Sequence, residues 1–261
     1  MINWYYRVIR KYLNLFSNEI IMKLSDINII FINMDKNEDR RNHITNELSK
    51  IGLKDNKIKR MRGINGQTLP KKYHTYFQNK KNFKTLSNNP QRIMGRVGCL
   101  LSHLYVLDYA IKHKYENLLV LEDDCYLLVD KDITLPKFPK DADMLWFGGL
   151  FWTQKEEKKK QTGSWIHIDR ENLKMAGGFS YFFPSLEKIK YVRNKLDDVK
   201  PSAIDNLYIN HIQTEGRCYT LNPVIFSHTN QFISDVTEYG EHIGKSLHGN
   251  SFFYNNKQKQ I

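Results

Sequence analysis

Three consecutive acids, Glu122, Asp123 and Asp124, follow the apolar run Leu118 to Leu121. Apolar residues on both faces of that run predict a strand covered on both sides, as in the sheet of an α/β domain. Acids at the carboxyl end of such a strand stand where open α/β sheets take their ligands. If the chain stays extended, Glu122 and Asp124 face one way and Asp123 the other. Two hard oxygen donors on one side suit Mg²⁺ or Mn²⁺ held partly by a substrate phosphate. The competing reading is a solvated acidic turn after a buried strand. The sequence has no Walker or G-x-G-x-x-G loop, so an anion here would need a metal and basic side chains.

Other groups carry weaker signals. Asn33, Asp35, Arg40 and Arg41 surround the loop after the apolar run Ile27 to Met34. Such a loop can hold a base and ribose by polar contacts; it reads equally as a charged strand-to-helix loop. Gly98, Cys99, Ser102 and His103 lie near the start of a helix, where small residues permit close approach of a backbone or ligand. His103 taken alone fits a satisfied structural histidine. Asp205 follows Pro201 near another helix start, where an acid serves as an N-cap.

The elements that must position these residues alternate. Ile27 to Met34 is a predicted strand, and Arg40 to Ile51 a helix with Ile44, Leu48 and Ile51 on one stripe, stopped by Gly52. Lys57 to Met61 is a short strand and Gly63 to Gly66 a glycine-hinged turn. Residues 67–92 read as short helices or loop at a pocket mouth. Gly95 onward is the strongest helix, with Val97, Leu100, Leu101, Leu104, Leu107 and Ile111 at spacings of three and four. Asp143 to Gly148, Ala176 to Phe183 and Tyr219 to Phe226 read as three further single strands, and Leu186 to Leu196 as a helix. Lys155 to Gly163 is a charged hairpin loop, solvated surface or a lid. Strands alternating with helices predict an α/β class.

The chain has 261 residues with 41% apolar content, which is globular, and a net charge of +12, which favours anionic partners. The basic residues are spread along the chain without a nucleic-acid-binding signature, so nucleic acid is not the expected partner. A basic nucleic-acid-binding module or a metal-dependent nuclease is the competing class. Cys99, Cys125 and Cys218 form no C-x-x-C pair, which points to a reducing, cytoplasmic compartment. Residues 1–24 form a basic segment that packs on the domain or touches a membrane peripherally. Residues 25–245 are expected to form one domain and 246–261 a loose tail. Trp146, Trp152 and Tyr181 are candidates for stacking on sugar faces or for core packing.

Four blocks together resemble glycosyltransferase family 25, which includes bacterial lipooligosaccharide galactosyltransferases and collagen hydroxylysine galactosyltransferases. They are Ile32 to Arg41, Gly98-Cys-Leu-Leu-Ser-His103, Leu121-Glu-Asp-Asp124, and Ile204-Asp205 with Pro223 to His228, Gln231 and Ser234-Asp235. Arg96 departs from the pattern, since the family usually has an acid just before its Val/Ile-Gly-Cys. The resemblance implies a GT-A-like, Rossmann-type fold with a mixed central sheet flanked by helices. It also implies a UDP-sugar donor, Mn²⁺ or Mg²⁺, and inverting transfer of a hexose, galactose or glucose, to a hydroxyl of a glycan or of hydroxylysine in a collagen-like chain. On that resemblance Glu122, Asp124 and His228 hold the metal and Asp205 is the catalytic base. Asn33, Asp35, Arg40, Ser102, His103 and Asp123 contact the donor.

Overall fold

The structure, a computed structural model, describes residues 22–53, 55–153, 161–162, 164–169, 173–229 and 231–232. The segment 1–21, most of the charged loop 155–163, Ser234-Asp235 and the tail lie outside them.

In chain order the elements are β1 (Asn28–Asn33), α1 (Glu38–Ser49), β2 (Ile58–Arg62), α2 (Lys71–Gln78), α3 (Lys81–Lys84), α4 (Pro90–Lys112), β3 (Leu118–Glu122), β4 (Cys125–Leu127), β5 (Met144–Trp146), β6 (Leu150–Thr153), β7 (Gln161–Thr162), β8 (Trp165–Ile168), β9 (Leu173–Ala176), β10 (Ser180–Phe183), α5 (Leu186–Asp197), α6 (Ile204–Leu207), β11 (Cys218–Leu221) and β12 (Phe226–His228). Eight strands form one mixed sheet in the order β2-β1-β3-β10-β5-β11-β8-β7. β2, β1 and β3 are parallel, as their α-helical connections require. β10 runs antiparallel to β3 and β5, and β11 parallel to β5. The class and the mixed sheet flanked by helices are those expected.

Strand alternation divides the core between the two faces. Ile30, Leu118, Val120, Tyr181 and Phe183 pack on the side of α4, α5 and α6. Ile29, Phe31, Leu119, Leu121 and Phe182 pack on the side of α1, with Ile44 and Leu48. Covering both faces is why β3 reads as an unbroken apolar run. Each such buried side chain contributes about 1.5–3 kcal/mol. Asn89 caps α4, its side chain accepting from the Gln91 amide, and Pro90 takes the first turn, where its missing N–H costs nothing.

Two of the expected single strands are each two. Ala176 to Phe183 is interrupted at Gly177, whose φ of +83° turns the chain between β9 and β10. Tyr219 to Phe226 breaks at Asn222-Pro223, so β11 belongs to the main sheet while β12 pairs with β4. A central strand has no place for a proline, which lacks the ladder N–H. The small β4–β12 ribbon is held to α1: His43 Nε2 lies 2.9 Å from the Cys125 carbonyl, and Glu47 accepts from the Leu127 amide at 2.9 Å. Among the described residues, no helix is long and apolar enough to cross a membrane.

Candidate active site

β1 and β3 are adjacent and parallel, with Ile32 opposite Glu122, so their carboxyl ends open on one edge of the sheet. A cavity of about 170 Å³ lies there. Its walls are the end of β1, the loop Gly63–Gln67, one face of α4 including Cys99, Ser102 and His103, and the acids Glu122 to Asp124. Gly66 and Gly98 make the wall thin: a Cβ on Gly66 would fall 1.7 Å from the Met94 carbonyl oxygen, and one on Gly98 2.4 Å from that of Ile64. Ser102 locks this contact, its hydroxyl donating to Gly98 O at 2.7 Å and accepting from the Ile64 amide at 2.8 Å.

The extended path assumed for the acids stops at Glu122. Asp123 and Asp124 occupy the turn into β4, so strand alternation does not set their directions. Asp123 is buried and bonded to Asn33 Nδ2 at 2.7 Å and to Arg40 at 2.6 Å. The same guanidinium reaches Asp124 at 2.7 Å. Asn33 is itself fixed, donating also to Asn37 O at 2.8 Å and accepting from Arg60 Nε at 2.9 Å. Arg60 and Arg62 bind Asp35 at 2.6 and 2.7 Å. Asp35 therefore faces a neighbouring groove with Arg62, Thr68 and Tyr105 instead of the acid cavity. The Arg60 bond outweighs its partial desolvation and holds its carboxyl below the ordinary range.

His103 is buried between two partners: Nδ1 lies 2.7 Å from the Tyr181 hydroxyl and Nε2 3.3 Å from Glu122 Oε1. Tyr181 is thus an orienting group inside the core, and Trp146 is buried against Tyr208, so neither presents a face for a sugar. Cys99, His103 and Glu122 bring one ligand atom each to within 4.8 Å of one another.

His228 comes from β12, opposite Cys125, and the Thr229 amide donates to Asp124 O at 2.8 Å. The ribbon thereby sets the imidazole beside the acid turn. Asp205 lies in the first turn of α6, where Ala203 holds the cap position, so Asp205 is not the N-cap. Its carboxylate accepts from the Asn206 amide at 2.8 Å.

The electrostatics follow from burying several acids together. Burial and then Glu122 push the Asp124 carboxyl up to about 7, against the pull of Arg40. Burial also raises Asp123 and Asp205; Asn206 and Arg96 oppose the rise at Asp205 and Glu122 adds to it. Arg96, the departure from the family pattern, is thus a cation near Asp205. Glu122 is desolvated too, but its hydrogen bond to His103, with the charges of Arg40 and His228, holds it low. Two carboxylates, Asp123 and Asp124, contact the buried Arg40, and Glu122 lies within reach of its charge. That surplus of negative charge suits a divalent cation, and Glu122, Asp124 and His228 are donors of the types Mn²⁺ takes, but among the described residues the three donor atoms drawn within 4.8 Å of one another are those of Cys99, His103 and Glu122.

Of the residues singled out in the sequence, Asn33, Arg40, Ser102, His103, Glu122, Asp123 and Asp124 line one cavity. Arg60 was not among them, and the Gly63–Gln67 loop was read only as a glycine-hinged turn with no place in the site. Gly63 and Gly66 were the sequence signal for that loop.

Residues 26–224 match the family described as glycosyltransferase family 25 (LPS biosynthesis protein). His228 lies just beyond the matched stretch. No curated protein matches the chain significantly. One solved structure similar to this chain is a glycosyltransferase involved in the glycosylation of the major capsid of PBCV-1. It shares 13% identity at a TM-score of 0.42, over 84% of this chain and 98% of that one. The family match covers most of the sequence, and the chain belongs to glycosyltransferase family 25.

Proposed function

We propose that this glycosyltransferase moves a hexose, galactose or glucose, from a UDP-sugar to a hydroxyl of a glycan or of hydroxylysine in a collagen-like chain, with inversion and with Mn²⁺ or Mg²⁺ bound. The observation that carries the reading is the acid triplet at the shared carboxyl edge of β1 and β3, joined there by Asn33 and Arg40.

Asp123, held from both sides by Asn33 and Arg40, accepts from a ribose hydroxyl. Glu122, Asp124 and His228 would hold the cation, which when bound neutralises charge on the leaving diphosphate. His103 fixes the Glu122 carboxylate, and its own orientation is set by Tyr181. Asp205 takes the proton of the acceptor hydroxyl as that oxygen bonds to the anomeric carbon and the bond to the diphosphate breaks. Burial raises its affinity for protons above that of an exposed carboxylate, which makes it a stronger base.

The test is a panel of UDP-sugars with Mn²⁺ and with simple glycan or hydroxylysine acceptors, reading released UDP and coupled product. One or two hexose donors should turn over, and Glu122→Gln or Asp124→Asn should lower the rate about 10²–10³-fold. Full activity in the double variant would remove the assignment of the acids. No turnover with any UDP-sugar would remove the donor.

A further inference from the structure

Cys99, His103 and Glu122 come together on the cavity wall, and Cys99 has no place in the metal–diphosphate binding proposed above. A thiol, an imidazole and a carboxylate make a different donor set from two carboxylates and an imidazole. The soft sulfur selects borderline and soft transition metals over Mg²⁺ and Mn²⁺.

We propose that Cys99, His103 and Glu122 form a second, thiolate-containing site for Zn²⁺ or a similar late transition metal, and that the ion bound there inhibits transfer by taking Glu122 from the catalytic cation. The geometry is close to what such an ion needs. Zinc bonds of about 2.0–2.2 Å to nitrogen and oxygen place tetrahedral donors about 3.4 Å apart. His103 Nε2 and Glu122 Oε1 are 3.3 Å apart. A bond of about 2.3 Å to sulfur requires the thiol to come within about 3.6 Å of each. The three donors already lie within 4.8 Å, so side-chain rotation of about 1 Å closes the set.

The surroundings favour the same assignment. Tyr181 engages His103 Nδ1 at 2.7 Å, leaving Nε2 directed at Glu122. A ligating imidazole characteristically has an outer hydrogen bond on its other ring nitrogen; here the partner is a hydroxyl in place of the usual carboxylate, carbonyl or water. Cys99 and His103 are one helical turn apart on α4, on one face. A glycine stands across the site: a Cβ on Gly178 would meet Glu122 Oε1 at 3.4 Å and His103 Cε1 at 3.5 Å. All three donors line the cavity, so the fourth position opens toward solvent or substrate. Loading transfers the thiol proton to solvent as the metal–sulfur bond forms.

Binding by itself does not depend on the sugar-transfer reading; only the inhibition does. The two are therefore measured apart. Full-length protein, without donor, is titrated with Co²⁺ and followed for the near-ultraviolet thiolate-to-cobalt charge-transfer band. The band should develop in the parent and in C218A, and be absent in C99S and C99A, whose melting curves show whether they are folded. Excess Zn²⁺ should bleach it. Inhibition is then read with Mn²⁺ and donor, each variant normalised to its own zinc-free rate. Zn²⁺ should inhibit competitively with Mn²⁺, and loss of the sulfur should raise its half-inhibitory concentration at least tenfold. A missing cobalt band in the folded parent, or a band that persists in both Cys99 variants, overturns the site. A sulfur-dependent band with zinc inhibition unchanged in C99A overturns the inhibitory role. A band in a protein that turns over no UDP-sugar keeps the site and fails the function proposed above.

Discussion

Gly66→Ala tests whether the loop–helix contact really builds the cavity. The added carbon would lie 1.7 Å from Met94 O, while side-chain carbons come no closer than 3.0 Å, so loop and helix must part by roughly 1.3 Å. That carries the Ile64 amide out of reach of Ser102 Oγ, now 2.8 Å away. The lost bond costs about 1 kcal/mol and the strain of the forced fit about 1–3 kcal/mol. At a urea slope of about 2–3 kcal/mol per molar, the unfolding midpoint falls by about 1 M. The same displacement moves one wall of the cavity by over an ångström, and misplacement on that scale costs about 10²-fold in kcat/KM. Gly98→Ala pushes on the same contact from the helix, toward Ile64 O at 2.4 Å. The double variant should therefore lose less than the sum of the two. Gly52→Ala is the control. Its φ of +63° makes it strained, but nothing lies within 4 Å, so it should lose about 1 kcal/mol and no activity. An unshifted midpoint with unchanged kcat/KM for Gly66→Ala, or strict additivity with Gly98→Ala, refutes the reasoning.

Asn33→Leu removes the amide that joins Asp123, Asn37 and Arg60; it should destabilise the fold by about 2 kcal/mol and weaken UDP binding by calorimetry at least tenfold, and intact UDP affinity would count against Asp123 as the ribose contact. Asp143 is buried between Lys188 at 2.9 Å and Arg217 at 2.5 Å, remote from the acid cavity; Asp143→Asn should cost about 1–3 kcal/mol in denaturant titration while leaving the donor KM where it was. The metal-free protein should lose stability as pH rises. Asp124 binds its proton more tightly folded, at about 7, than unfolded, at about 4. Its contribution is thus full below pH 4 and gone above about 7, and Asp123 and Asp205 act in the same direction. Melting temperatures across pH 5 to 8 should fall, less so in Asp124→Asn, and saturating Mn²⁺ should restore stability at the upper end; an identical slope in the variant would contradict this.

What the sequence revealed depended on how far each residue's surroundings are local. β1, α1, α4 and β3 are legible because burial on one or both faces writes itself into adjacent residues, as in Leu118 to Leu121. The breaks at Gly177 and Pro223 lie inside apolar runs, and periodicity registers those runs but not a change of sheet between Leu221 and Phe226. The acid cluster was visible as chemistry. Its directions were not, because a turn begins at Asp123 and the partner that orients two of the acids, Arg40, arrives from another element. Arg60 could not be read at all: on an edge strand it looks like a solvated charge, and only the parallel register with β1, Phe31 opposite Arg60, puts it against Asn33. Tyr181 is apolar-patterned like the core residues beside it, yet its hydroxyl engages His103.

The β4–β12 ribbon also sets an order of events during synthesis. Leu127 must wait for Phe226, emerging roughly a hundred positions later, before its strand has a partner. β11 likewise enters between β5 and β8 only when residues 218–221 are made. A nascent chain released to Gly216 can assemble the β2-β1-β3 edge with Glu122 at its end, yet it lacks β11 within the sheet and the β12 pairing that pins the turn carrying Asp123 and Asp124. The chemistry-bearing corner is among the first parts to be synthesised and among the last to be braced. A fragment ending between Leu221 and Phe226 would separate the two stages, with the sheet complete and the acid turn unpaired.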